Sequence, residues 1–176
     1  MLEEEKKPSI ISKTLEKIKN LGKPSAKPTI INHDAKQIAI KLIKECEGCE
    51  LTAYKCSAGI WTIGYGHIEG VKEGMQITQE QAEEYFNSDI MDYLSPVQKE
   101  VGNICNANQI AALTSFAFNL GNAALKSSTL LKVIKKNPKD FIGIRSEFLK
   151  WIYAKKKPLK GLKKRRGKEA DLYEKA

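Results

Sequence analysis

Glu47 stands where an apolar helical run gives out, and the residues from Gly48 to His67 carry three further groups that could work with it. Cys56 follows nine residues after Glu47, Thr62 six after Cys56, and His67 five after Thr62. A glutamate at the C-terminal end of a helix faces the end of the dipole that prefers cations; taken alone it reads as an ordinary solvated glutamate, and the hairpin pattern behind it is what points to function. Partial burial would keep such a carboxyl protonated and make it a general acid. The Cys56 thiol, once ionised, could serve as a nucleophile or as a base for water; by type alone it could equally be an unreactive strand cysteine. Thr62 could hold an attacking water or be a plain β-former. His67, just after Gly64-Tyr65-Gly66, suits a structural hydrogen bond or ion pair anchoring the loop better than it suits a base. Glu45 and Glu50 flank Glu47 without the nine-residue relation to Cys56 and are expected on the surface. Cys49 opens a further possibility: a Cys49–Cys56 disulfide would occupy the Cys56 thiol and act as a redox lock, the alternative being two reduced cysteines that never meet.

A helix, a helix stop and a hairpin must bring these groups together. Ile38, Ala39, Leu42, Ile43 and Cys46 recur at the three-and-four spacing of one buried helical face. Asn32 to Asp34 offers cap residues, and Gly48 can take the left-handed conformation that stops a helix. Beyond it the pattern changes to period two, with a glycine-bearing turn at Ser57-Ala58-Gly59, which predicts a β-hairpin folded toward Glu47 to make a cleft. Thr78 to Gln81 matches a capping box, starting a helix expected to reach about Leu94, before Pro96, and to cross from a small β-containing lobe to a helical one. Asn106 to Gln109 has cap chemistry for a helix with a stripe of Ile110, Leu113, Phe116, Ala117 and Leu120, ending at Gly121. Ser128 opens a short helix through Lys136. Asn137-Pro138 reads as the N-cap and first residue of the next, with Phe141, Ile144, Phe148, Trp151 and Ile152 inward. After Pro158 a strongly basic helix is predicted from Lys160 to about Glu174. The fold class is α+β: a predominantly helical, two-lobed domain with a small antiparallel β-hairpin lobe.

The 176 residues suit a single domain over 34–176, preceded by an extension at 1–33. Ile10, Ile11, Leu15, Ile18 and Leu21 could form a short amphipathic helix there, but the Gly22 to Pro28 linker marks the segment as a tether outside the core, with transient contact to a membrane surface as one use. The formal charge of +9 fits solubility or attraction to a polyanion, whether nucleic acid, membrane or cell wall. No run approaches a membrane-spanning length, and the acidic start Met1 to Glu5 lacks the apolar stretch of a signal peptide; if the product acts outside the cytoplasm, something else must release it, or an export segment is missing from this chain. Four cysteines are too few for a disulfide scaffold. Cys46-x-x-Cys49 has no second cysteine or histidine pair to complete a zinc site, and Cys46 and Cys105 read as small buried hydrophobes. The basic tail, Lys155 to Lys157 and Lys160 to Lys168, could bind phosphate backbones non-specifically, but with no nucleic-acid motif beside it the tail reads as a solvated, substrate-attracting face.

The order Glu47, Cys56, Thr62 resembles the Glu, Asp-or-Cys, Thr catalytic set of the phage-type lysozymes (endolysins, glycoside hydrolase family 24), with cysteine in place of the commoner aspartate. Ala53-Tyr54-Lys55, Trp61 through His67, Phe116 through Gly121, Ser128 through Leu130 and the tail from Phe148 through Gly161-Leu162 to Arg165-Arg166 resemble that family as well, over residues 34 to 176. The resemblance implies a lysozyme-like fold without metal or organic cofactor, acting on peptidoglycan as a monomer with no specific nucleic-acid partner. It implies hydrolysis of the β-1,4 bond between N-acetylmuramic acid and N-acetylglucosamine, with Glu47 protonating the leaving oxygen, Cys56 as base or nucleophile and Thr62 positioning water or sugar. Ile68, Phe118 and Thr129 occupy places that resemble the family's substrate-lining positions; Phe118, on a helix, could equally be core. A catalytically inactive wall-binding protein and a basic nucleic-acid-binding protein are the alternatives.

Overall fold

Asn32 caps the first helix, its side-chain oxygen accepting the Ala35 N–H at 3.0 Å. In this computed structural model the described residues are 32–175 except 57, 58, 155 and 156. The expected amphipathic helix and linker of the N-terminal extension, and Ser57-Ala58 of the predicted turn, therefore lie outside them. α1 (His33–Lys44) buries Ala35, Ala39, Leu42 and Ile43. Its end differs from expectation: Gly48 does not take a positive φ. The chain instead tightens past Lys44, where the N–H groups of Cys46 and Glu47 both donate to the Ile43 carbonyl at 2.9 Å. Glu47 is thus held by the last turn itself.

β1 (Glu50–Lys55) and β2 (Trp61–Gly64) form the predicted antiparallel hairpin, with Tyr54 opposite Thr62, Lys55 opposite Trp61 and an irregularity between Glu50 and Tyr54. Gly59, at φ 77°, supplies the left-handed turn residue. Gly64, at φ 60°, sits where β2 presses on the next helix, and an added Cβ there would lie 3.4 Å from the Ala82 Cβ. The capping box at Thr78 and Gln81 is present and starts α2 (Gln79–Asp89). The chain then breaks at Ile90 into α3 (Met91–Val101), so the single helix expected to end before Pro96 is two, and Pro96 lies inside the second. A proline there removes the N–H that would engage the carbonyl four residues back. That carbonyl, of Asp92, accepts instead from Asn122 Nδ2 at 2.9 Å. A distant side chain has repaired the ladder.

α4 (Ala107–Leu120), capped by Asn106 and Gln109 as expected, is buried on every side from Gln109 to Asn119 rather than along one stripe. Helices α1, α3 and α8 (Lys160–Tyr173) pack around it. Between come α5 (Asn122–Ser127), α6 (Thr129–Lys136), α7 (Phe141–Leu149) and a two-residue hairpin, β3 (Tyr153–Ala154) with β4 (Lys157–Pro158). α5 and this second hairpin escaped the sequence reading. Asn137-Pro138 does not start α7 either: Asn137 closes α6, and Asp140 is the N-cap, accepting from the Gly143 N–H. The helical core holds Phe86, Phe116, Phe118 and Phe148, a smaller cluster holds Ile63, Ile77 and Ala82 under the hairpin, and Tyr65 packs against both. Among the described residues no helix is long and apolar enough to cross a membrane. Gly64→Ala is expected to lower stability by about 1 kcal/mol through its backbone strain, read as a lower urea midpoint with unchanged slope; an unchanged midpoint would show that β2 relaxes freely.

Candidate active site

Glu47 brings its carboxylate inward although its backbone is on the surface; only 6% of the side chain is exposed. Its partner comes from the far end of the chain. Arg165 Nη1, on α8, donates to Glu47 Oε1 at 2.6 Å. The other two nitrogens of that guanidinium are also engaged: Nε with Glu169 Oε1 at 3.1 Å, and Nη2 with the Ser115 carbonyl at 3.0 Å and hydroxyl at 3.2 Å. Burial works against the Arg165 cation, but Glu47 and Glu169 outweigh it and hold its pKa above the ordinary range. Arg166 is fully buried beside it, donating to Asn119 Oδ1 at 2.8 Å and to Glu169 Oε1 at 3.1 Å, its guanidinium 4.8 Å from the Phe116 ring centre. Burial brings the Arg166 pKa down to about 10, with Glu169 opposing and Arg165 reinforcing the fall.

One expectation is corrected here: the basic tail is not wholly a solvated face, since Arg165 and Arg166 are interior, while Lys160, Lys163 and Lys164 are exposed. Sequence reading missed Arg165, Arg166, Glu169 and Ser115 as members of the site. A signal existed. Of thirty cationic side chains only Arg145, Arg165 and Arg166 are arginines, the residue suited to buried, multi-donor ion pairs. With Glu169, Ala170 and Tyr173 the last two share a helical face, and Arg145 pairs with Glu174 and Asp171.

The hairpin turns one face to this cluster. Strand alternation places Tyr54 and Cys56 on one side with Thr62, the cross-strand neighbour of Tyr54. Lys55 and Trp61 lie on the other, the Lys55 ammonium 5.1 Å above the indole. Burial, then the neighbouring Cys56, Glu50 and Glu47, push the Tyr54 hydroxyl up to about 12, which puts Tyr54 within electrostatic reach of both Cys56 and Glu47. Cys56 is buried, and its N–H donates to the Ile60 carbonyl at 3.0 Å. Thr62 is fully buried as well, its hydroxyl donating to the same carbonyl at 3.1 Å, rather than opening onto a cleft as expected.

Glu45 and Glu50 are exposed as expected, Glu45 pairing with Lys168 at 2.7 Å. His67 is an anchor: its Nδ1 lies 3.0 Å from Asp89 Oδ2, and its ring stacks on Tyr85. Cys49 and Cys56 are free thiols, with Cys49 donating weakly to Gln79 Oε1 at 3.8 Å. The six residues of β1 separate them, a distance of about 20 Å in extended chain, against the roughly 6 Å between Cα atoms that a disulfide needs. In this conformation the pair cannot bond. Of the residues expected to line substrate, Ile68 is half-buried and Thr129 exposed at the start of α6, whereas Phe118 is core, edge-on to Phe86 and Tyr93.

The sequence profile described as phage lysozyme matches residues 44–169. The endolysin of Acyrthosiphon pisum secondary endosymbiont phage 1 is 43% identical over 139 residues, which cover 77% of this chain and 94% of that one. The endolysin of Salmonella phage P22 is 37% identical over 136 residues, 74% of this chain and 92% of its own. Among solved structures, the active form of the P1 phage endolysin Lyz superposes with a TM-score of 0.70 at 28% identity, covering 81% of this chain and 85% of that one.

Replacing Arg165 by Met would leave two carboxylates buried against an uncharged side chain. The expected loss is about 3 kcal/mol in urea unfolding, against less than about 0.5 kcal/mol for the exposed control Lys163→Met; equal effects would mean that the buried pairs contribute nothing.

Proposed function

Since the chain belongs to the phage lysozyme family, we propose that Glu47 is its general acid and that Cys56 works beside it as nucleophile or base. The protein is a peptidoglycan-degrading lysozyme. The bond cleaved, in this proposal, is the β-1,4 link between N-acetylmuramic acid and N-acetylglucosamine.

The observation that carries the assignment is the buried Glu47–Arg165 pair next to the hairpin face that bears Tyr54, Cys56 and Thr62. Glu47 gives its proton to the glycosidic oxygen as the C–O bond breaks and positive charge grows at the anomeric carbon. The carboxylate left behind lies against Arg165 Nη1, so the guanidinium stabilises the charge that appears during the step rather than the charge present before it. Cys56 then attacks the anomeric carbon as a thiolate or takes a proton from an attacking water. Thr62 acts by holding position: its hydroxyl and the Cys56 N–H share the Ile60 carbonyl, which fixes the end of β1 where Cys56 leaves it.

In this reading the catalytic unit spans residues 34–176 and acts as a monomer on the cell wall after release to the periplasm, with residues 1–33 as a tether able to touch a membrane surface. The Cys49–Cys56 lock keeps a place only as the mark of a different conformer, one in which β1 is undone and the enzyme idle.

Turbidity loss of purified peptidoglycan tests the assignment. Glu47→Gln is expected to lower the rate by at least about 100-fold with the far-UV spectrum unchanged; more than a tenth of parental activity would remove Glu47 from the role. Cys56→Asp should remain active and Cys56→Ser should not, and equal activity of the two would demote Cys56 to a packing residue. Oxidised protein carrying a Cys49–Cys56 bond is expected to be inactive until reduced, so full activity in that form would end the lock.

A further inference from the structure

Glu169 has no assigned part in the reaction, yet its carboxylate lies against both buried guanidiniums. Its side chain is fully buried. Oε1 accepts from the Ser115 hydroxyl at 2.7 Å, Arg165 Nε at 3.1 Å and Arg166 Nη2 at 3.1 Å, and Oε2 lies 2.9 Å from Arg166 Nε. Arg165 is therefore shared, giving one edge of its fork to Glu169 and the other to Glu47.

The charges around this point can be followed element by element. The turn after α1 contributes Cys46 and Glu47, with Glu45 turned outward to Lys168. The hairpin contributes Glu50, Tyr54 and Cys56. α8 contributes Arg165, Arg166, Lys168 and Glu169, and α4 only the neutral Ser115 and Asn119. Within the buried set two guanidiniums face two carboxylates. The balance is even only while Glu47 is ionised. A general acid must carry a proton before the reaction, and in that state Glu169 is the one buried anion left between the two cations.

We propose that Glu169 is a positioning residue for the proton transfer, keeping Arg165 paired and aimed at Glu47 while Glu47 carries and gives up its proton. The inference rests on Glu47 being the general acid. The geometry acts through direction: with Nε tied to Glu169 and Nη2 to Ser115, the fork cannot swing to clasp Glu47 with both edges. Charge acts through balance. Without Glu169, Glu47 would be the sole buried anion for two cations and would hold its ionised form more strongly.

The test is the pH–activity profile on purified peptidoglycan. Activity that needs a protonated acid falls as pH rises through its titration, and this gives the high-pH limb. Glu169→Gln keeps the shape and an acceptor oxygen but removes the charge. Ionised Glu47 is then favoured, and the limb should move to lower pH by about 1 unit or more. Arg166→Met removes a cation instead and should move the limb upward, while the double variant, which loses one charge of each sign, should return it toward the parent. Should Glu169→Gln fail to fold by far-UV spectrum, Arg166→Met and the double variant decide. A merely structural Glu169 would lower activity at every pH with the limb in place, and a limb unmoved in the folded variants overturns the proposal. Glu47→Gln separates the two readings: if it stays active, the acid assignment fails, whereas an inactive Glu47→Gln with an unmoved limb in Glu169→Gln sinks the role of Glu169 alone.

Discussion

A guanidinium taken out of water has to find its anions inside the protein, and the architecture around Arg165 is organised by that demand. One anion comes from the turn after α1, the other from the next turn of the same helix α8, and the wall between them is α4, whose Ser115 supplies both a carbonyl and a hydroxyl. This accounts for α4 being covered on all sides. An amphipathic surface helix could not offer polar contacts on one face while packing Ile110, Leu113 and Phe116 on others. Arg166 adds a second interior charge on the same turn, lying over the Phe116 ring and balanced by the carboxylate that also serves Arg165. The ion cluster and the apolar core are therefore one structure, since the residues that satisfy the charges stand on the helix that fills the core.

The hairpin is attached to this frame by contacts of a different kind. Gly64 lets β2 approach Ala82 and Ile77 closely, Tyr65 packs into both apolar clusters, and His67 fastens the following loop to Asp89 on α2. Each attachment lies beyond Thr62, so the position of Cys56 is set across the ladder from β2. The shared Ile60 carbonyl transmits that position to the end of β1. A small lobe of few strands can hold a side chain in place when both edges of its strand are tied, and here the other edge of β1 meets the segment at Met75 to Ile77.

What could be read from the sequence was what neighbours in the chain decide. Glu47 at a helix end, the capping boxes at Thr78 and Asn106 and the hairpin all follow from local rules. The misreadings share a cause of the opposite kind. Pro96 marks a helix boundary by local rules, since a proline lacks the N–H of the ladder, and the repair comes from Asn122. Asn137-Pro138 carried a good start signal, but Asp140 lay three residues on and took the cap. The tail looked solvated because lysines surround Arg165 and Arg166, and only the folded chain brings Ser115, Glu169 and Glu47 to them. Residues satisfied at long range look unsatisfied, or simply polar, in the sequence.

Glu47 and Arg165 are 118 positions apart. Closing a loop of that length costs about 4 kcal/mol in chain entropy, recovered only when α8 docks against α4. On the ribosome the two would be separated by roughly ten seconds of synthesis, during which Glu47 is without its guanidinium. A chain interrupted before α8 would carry Glu47 but lack the guanidinium that meets it. The pair is therefore a late product of folding, formed only once α8 has docked.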